Sequence, residues 1–128
     1  MVELKHVSFA YEEGSDILSD VNFTLNRGEF CFVIGDSGSG KSTLSKLLTG
    51  ELHAKTGDVL VNGYNMQKIK RRALAKVRRT IGVVYQEFRI VPTWTVWENL
   101  EFAMVCVGAN SKNIAHRIHE VLDLVSLE

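Results

Sequence analysis

The chain has 128 residues, 45% of them hydrophobic, the size of one ordinary domain whose core buries roughly two thirds of the unfolded surface. Its 15 Lys plus Arg balance 15 Asp plus Glu, so no net field selects nucleic acid or an acidic membrane as the main partner. The longest apolar run, "FAMVCVGA" at 102–109, is far short of the ~20 residues that span a bilayer, and the opening "MVELKHVSFA" has no apolar segment behind a basic one, so no secretory signal is expected and a cytoplasmic address follows.

Taken in chain order, "VELKHVSFAY" has near-alternating apolar positions, Val2 and Leu4, then Val7, Phe9 and Tyr11, and predicts a half-buried strand. Beyond the turn-like "EEGSD", Val21, Phe23 and Leu25 share one face of a second strand, antiparallel to the first and ended by "NRGE". The continuously apolar "FCFVI" (30–34) predicts a strand covered on both sides, at the centre of the sheet. Cys31 within it, and Cys106 within "FAMVCV", are expected to be buried, reduced thiols. From Lys41 the spacing of Leu44, Leu47 and Leu48 is helical, with Gly50 placed to stop it. "TGDVLVNGYN" (56–65) predicts a short strand between turn residues, and 68–79 a helix through Ile69, Ala73 and Val77. "TIGVVYQ" (80–86) predicts another strand, "EFRIVPT" a loop, and "VWENLEFAMVCV" a helix. A last helix begins near Ser111 and carries Ile114, Ile118, Val121, Leu122 and Val125 on one stripe. Strands first, then alternating helices and strands, then two helices make an α/β chain with a helical tail.

"GDSGSGKS" (35–42) fits G-x-x-x-x-G-K-[ST], and each fixed position has a mechanical reason. Gly35, Gly38 and Gly40 let the backbone curl with its N–H groups inward, Lys41 reaches the β and γ phosphates, and the Ser42 hydroxyl can ligate Mg²⁺. The helix that follows adds its positive end. Chance produces the pattern in roughly one chain of this length in two hundred, and its context, an apolar run before it and a helix after it, is the one a phosphate cradle requires. A flexible Gly/Ser turn does not demand a Lys-Ser-Thr opening of a helix. A dinucleotide-binding loop fits worse, because Thr43 stands where the third glycine of G-x-G-x-x-G belongs.

These residues, with "HVSFAY", "GDVLVNG", "RRTIGVVYQEFRIVPTWTVWENL" and "ANSKNIAHRIHEVLDLVSL", resemble the first half of an ATP-binding cassette (ABC) ATPase, most of all its cell-division branch, over nearly the whole chain. The resemblance implies a P-loop NTPase fold: the N-terminal portion of an ABC nucleotide-binding domain, with N-terminal antiparallel strands and the start of a helical subdomain. It implies one C-terminally incomplete domain over 1–128, a core lobe to about 86 and then the glutamine loop and the helical start. The implied cofactors are ATP and Mg²⁺. The implied binding set is Tyr11, Gly35, Ser37, Gly38, Ser39, Gly40, Lys41, Ser42, Thr43 and Gln86. Tyr11 is similar to the family's adenine-stacking aromatic, with an ordinary core tyrosine as the alternative. Gln86, with Ser42, corresponds to a Mg²⁺ ligand and senses the γ-phosphate. Asp36 beside the phosphates and Glu87 where the pattern has Asp are departures that bear on affinity.

The segment from Glu87 to Asn99 corresponds to the part that meets a polytopic membrane subunit, where Trp94 and Trp97 could serve as aromatic anchors or simply pack in a core. A head-to-tail homodimer of the complete domain, peripheral on the cytoplasmic face of the cell membrane, is implied as well. Lys68, Lys70, Arg71, Arg72, Lys76, Arg78 and Arg79 form a run with no acid between Asp58 and Glu87. It suits a solvated helix face or anionic lipid headgroups, and without interleaved aromatics it does not suit nucleic acid.

Hydrolysis needs a second grip on Mg²⁺ and a positioned water, which the family draws from an apolar strand ending in Asp-Glu, an LSGGQ-like signature and a switch histidine. No Asp-Glu pair occurs in these 128 residues, and His6, His53, His116 and His119 all precede the switch region. Beyond Lys41 and Gln86 no catalytic residue is assigned, so the chain is expected to bind ATP without turning it over, and to be poorly soluble or to pair through open strand edges. The alternatives are a non-hydrolysing module that docks on a membrane protein and the ATPase part of a lipoprotein or small-molecule exporter.

Overall fold

The computed structural model describes residues 1–127, which form two compact units divided after Ile81. The first is built on a four-stranded antiparallel sheet of order β2-β1-β3-β4, with β1 Val2–Ala10, β2 Asp16–Leu25, β3 Thr56–Val61 and β4 Tyr64–Asn65. Leu4 lies opposite Phe23 on one side and Val59 on the other. The alternation of β1 slips between Leu4 and Val7, and the structure supplies the reason: the register shifts there, with His6 at φ 50°, so a bulge returns Val7 and Phe9 to the buried face.

Two helices belong to this unit, α1 Lys41–Leu48 and α2 Arg71–Arg78. Leu47 of α1 and Val77 of α2 join Leu4, Val7, Phe9, Val59, Val61 and Met66 in a single buried core. The stretch 56–65, expected as one strand, is a hairpin: Asn62 (φ 49°) and Gly63 (φ 82°) turn the chain so that Val61 faces Tyr64. Positive φ at both central residues is the demand of a tight two-residue turn, which Asn-Gly meets.

Two expected strands are corrected. Neither 30–34 nor 80–86 pairs with a strand among the described residues. Instead of lying at the sheet centre, Phe30, Phe32 and Ile34 are exposed, and so is Val84. A continuous apolar run states that both faces need cover, but it cannot state that the cover lies within the same stretch of chain. The four-stranded sheet supplies none. Cys31 and Cys106 are free thiols but exposed rather than buried: Cys31 lies in the uncovered run 30–34, and Cys106 on a helix over 96–107 that buries none of its residues.

The second unit, from Gly82 onward, holds α3 Val96–Val107 and α4 Ser111–Leu124. Ile114 and Ile118 of the predicted stripe are its buried residues, while Val125 caps α4 and is exposed. Leu100, Ala103, Met104 and Val107 of α3 face Ile118 and Val121 of α4 across a shallow apolar cleft. Among the described residues no helix is long and apolar enough to cross a membrane.

Candidate functional site

The glycine-rich loop enters α1 through Gly40, which is the helix N-cap at φ 92°. A Cβ there would lie 2.9 Å from Leu18 Cδ2 and 3.1 Å from Ile17 Cγ2 of β2, so both the backbone angle and the close approach to the sheet require glycine. At Gly35 a Cβ would meet Ser39 Oγ at 2.6 Å, inside the curl of the loop.

Lys41 folds back over this curl. Its Nζ donates to the carbonyls of Gly35 (2.7 Å) and Asp36 (2.6 Å) and to Ser39 Oγ (3.2 Å). The ammonium is thus held at the loop by the same residues that shape it. Ser42, next along, is exposed, and Thr43 is buried.

The first turn of α1 is electrostatically open, with neither a side-chain cap nor an acidic residue. At α3, Thr95 Oγ1 accepts from Glu98 N–H (3.2 Å) while Glu98 accepts from Thr95 N–H (2.7 Å), a reciprocal capping box. The bonds that the Glu98 carboxylate accepts, from the Thr95 backbone N–H first and then from the Thr95 hydroxyl (2.8 Å), hold it below its ordinary range. At α4, Asn110 accepts from Lys112 N–H (3.1 Å). α2 also lacks a side-chain cap, but it follows Lys70 in extended conformation and not a glycine loop. Among the described residues, α1 alone joins the amide donors and positive end of a helix to a glycine curl and a lysine, the combination that suits a polyphosphate.

Tyr11, just beyond β1, reaches the same helix. Its hydroxyl lies 3.3 Å from Thr43 Oγ1, and its ring meets Phe9 edge-on, with centroids 4.9 Å apart. At 57% exposed it is not the core tyrosine that was its alternative. Ser37 and Gly38 are exposed in the loop.

Gln86 lies in the second unit, exposed in a bend at 86–87. The segment that follows is pinned by Asn99, which the sequence marks only as its end: its side chain accepts from Val91 N–H (2.8 Å) and donates to the carbonyls of Val91 (3.2 Å) and Thr95 (2.9 Å). Trp94 packs edge-on against Phe102 and stays exposed, while the less exposed Trp97 meets the His119 ring. The basic run is divided in its uses. Arg78 donates from Nε to Thr49 O (2.9 Å) and from Nη2 to Gly50 O (3.2 Å), closing the C-terminal end of α1. Lys68 pairs with Asp58 at 3.6 Å, and Arg71 and Arg72 are exposed. Among the described residues no group of His, Cys, Asp and Glu could by itself hold a metal ion.

The sequence pattern of the family described as ABC transporter matches residues 18–128. The chain is 39% identical over 128 residues to the cell division ATP-binding protein FtsE of Streptococcus pneumoniae and 41% identical to that of Bacillus subtilis, covering all of this chain and 56% of each relative. It is also 41% identical, again over its whole length, to the methionine import ATP-binding protein MetN of Helicobacter pylori, of which it covers 39%. The chain therefore spans about half the length, or less, of these relatives. Two solved structures of the ABC transporter cassette MJ0796, one described as dimeric and one as a dimeric post-hydrolysis state bound to ADP and Pi, superpose with TM-scores of 0.87 and 0.86 at 30% and 31% identity. Both are covered to 58% of their length.

Proposed function

The chain belongs to the ABC transporter family, of whose ATP-binding cassette it carries the N-terminal portion, and on that premise we propose that it binds ATP with Mg²⁺ as the nucleotide-binding part of an FtsE-like ATPase. The observation that carries this reading is the Lys41 ammonium held over the Gly35–Ser39 curl at the uncapped start of α1. An incoming triphosphate takes its hydrogen bonds from the loop amides of residues 35–43 and from Lys41, whose ammonium exchanges carbonyl partners for phosphate oxygens. Mg²⁺, when bound, offsets the phosphate charge; the Ser42 hydroxyl is the group of the loop suited to hold it, and the family resemblance assigns Gln86 to the same ion. The exposed Tyr11 ring offers a stacking surface for the base.

In this reading the 128 residues bind the nucleotide and leave its hydrolysis to groups outside them. The complete cassette pairs head to tail and drives a polytopic, FtsX-like membrane subunit at the cytoplasmic face of the membrane in cell division, contacting it through residues 87–99, where Trp94 is exposed. Equilibrium titration with MgATP tests the site: saturable binding is expected from the chain and none from Lys41→Ala. Equal binding by that variant refutes the site.

A second reading, the nucleotide-binding part of a solute transporter, is favoured by the methionine import relatives, whose identity over the whole chain equals that of the Bacillus division protein.

A further inference from the structure

We infer that Thr43 is a positioning residue for Tyr11: its buried hydroxyl fixes the exposed ring as a preformed stacking surface for the base of a nucleoside triphosphate. The inference rests on the proposed nucleotide site and assigns it a specific device. Thr43, the third residue of α1, is 5% exposed, and Tyr11 is 57% exposed, so one partner is held by packing and the other stands in solvent. Their oxygens lie 3.3 Å apart. The ring edge contact with Phe9 of β1, centroids 4.9 Å apart and planes at 88°, supplies the second anchor.

A tyrosine ring has two side-chain torsions. One contact on the ring leaves it able to swing about that contact. A second, at the hydroxyl end, removes that freedom before any ligand arrives, and a ligand that stacks on a preset ring loses less affinity to ordering. The hydroxyl bond has a further consequence. Thr43 follows the lysine and serine of the phosphate loop on the same short helix, so the ring is set relative to the phosphate cradle and not merely to the sheet. Sequence spacing does not reveal this, because 32 residues separate the two partners.

The test compares ATP with inorganic tripolyphosphate, which has the phosphates but no base. Tyr11→Phe and Thr43→Val, each keeping shape and removing one hydroxyl, are expected to weaken MgATP binding about fivefold, the scale of one lost hydrogen bond. The double variant is expected to lose no more than either alone. Tripolyphosphate affinity should stay at the unsubstituted level in Tyr11→Phe, whose ring is assigned to the base and not to the phosphates, and Thr43→Ser should restore the ATP binding that Thr43→Val loses. Tyr11→Phe changes only an exposed side chain, so it decides the matter even if Thr43→Val does not fold. Undiminished ATP binding by Tyr11→Phe overturns the inference. Parallel loss of tripolyphosphate by Tyr11→Phe also overturns it, since the hydroxyl contact then supports the loop and not the ring. If the unsubstituted chain binds neither compound, the nucleotide site itself is wrong and the inference falls with it.

Discussion

Arg78 shows how much a single residue's meaning depends on where the fold puts it. In sequence it is one of seven cations in an acid-free run. In the structure its guanidinium reaches the carbonyls of Thr49 and Gly50, 29 and 28 residues away, and so ties α2 to the far end of the helix whose near end faces the candidate phosphate site. Arg78→Ala should destabilise the chain by about 1–2 kcal/mol, and Arg78→Lys should recover only part of this because an ammonium lacks the fork. Thermal or urea unfolding followed by circular dichroism checks both; an alanine variant as stable as the parent contradicts the clamp. Lys41 was legible without a structure because its spacing from three glycines is itself the signal. Nothing local separates Arg78 from Arg79, or marks Asn99 as the latch on the loop before α3.

At the scale of elements, the alternating strands and spaced helices were readable because burial on one face leaves a periodic trace, as in Leu4, Val7 and Phe9 or Ile114 and Ile118. The bulge at His6 and the Asn62-Gly63 turn left traces too, a slipped alternation and a turn dipeptide. The run 30–34 misled because its composition reports a need for cover and not its source. Helix ends carry their own chemistry. Glu98, depressed by its bonds to Thr95, is bound by fewer protons in the folded state than in the unfolded one. Its stabilising effect is therefore complete above the ordinary glutamate value of about 4.3 and disappears as pH falls through the lower folded value. In melts between about pH 3 and 7, Glu98→Gln should flatten this part of the acid decline in α3 helicity. An unchanged profile means that the capping box does not hold in solution.

For the molecule as a whole, the question is what its surface does. Phe30 and Phe32 are each 80% exposed and pack edge-on against one another with centroids 4.8 Å apart, beside Ile34 at 89%. Such a patch favours association. The double change Phe30→Thr with Phe32→Thr should reduce concentration-dependent oligomers in light scattering while leaving the thermal midpoint in place, since neither ring contributes to the core around Leu47. A lowered midpoint shows that the rings pack within the folded unit. The fold class was legible because the phosphate-loop motif and the element order agree. The exposure of this segment was not, because it depends on which chain, if any, lies alongside.

The bareness of Phe30, Phe32 and Ile34 also bears on the fate of these residues in a living cell. Holdases and proteases survey for apolar segments left in solvent and remove molecules that show them. Steady-state abundance would then follow how quickly that stretch is covered, more than how tightly the sheet behind it is packed.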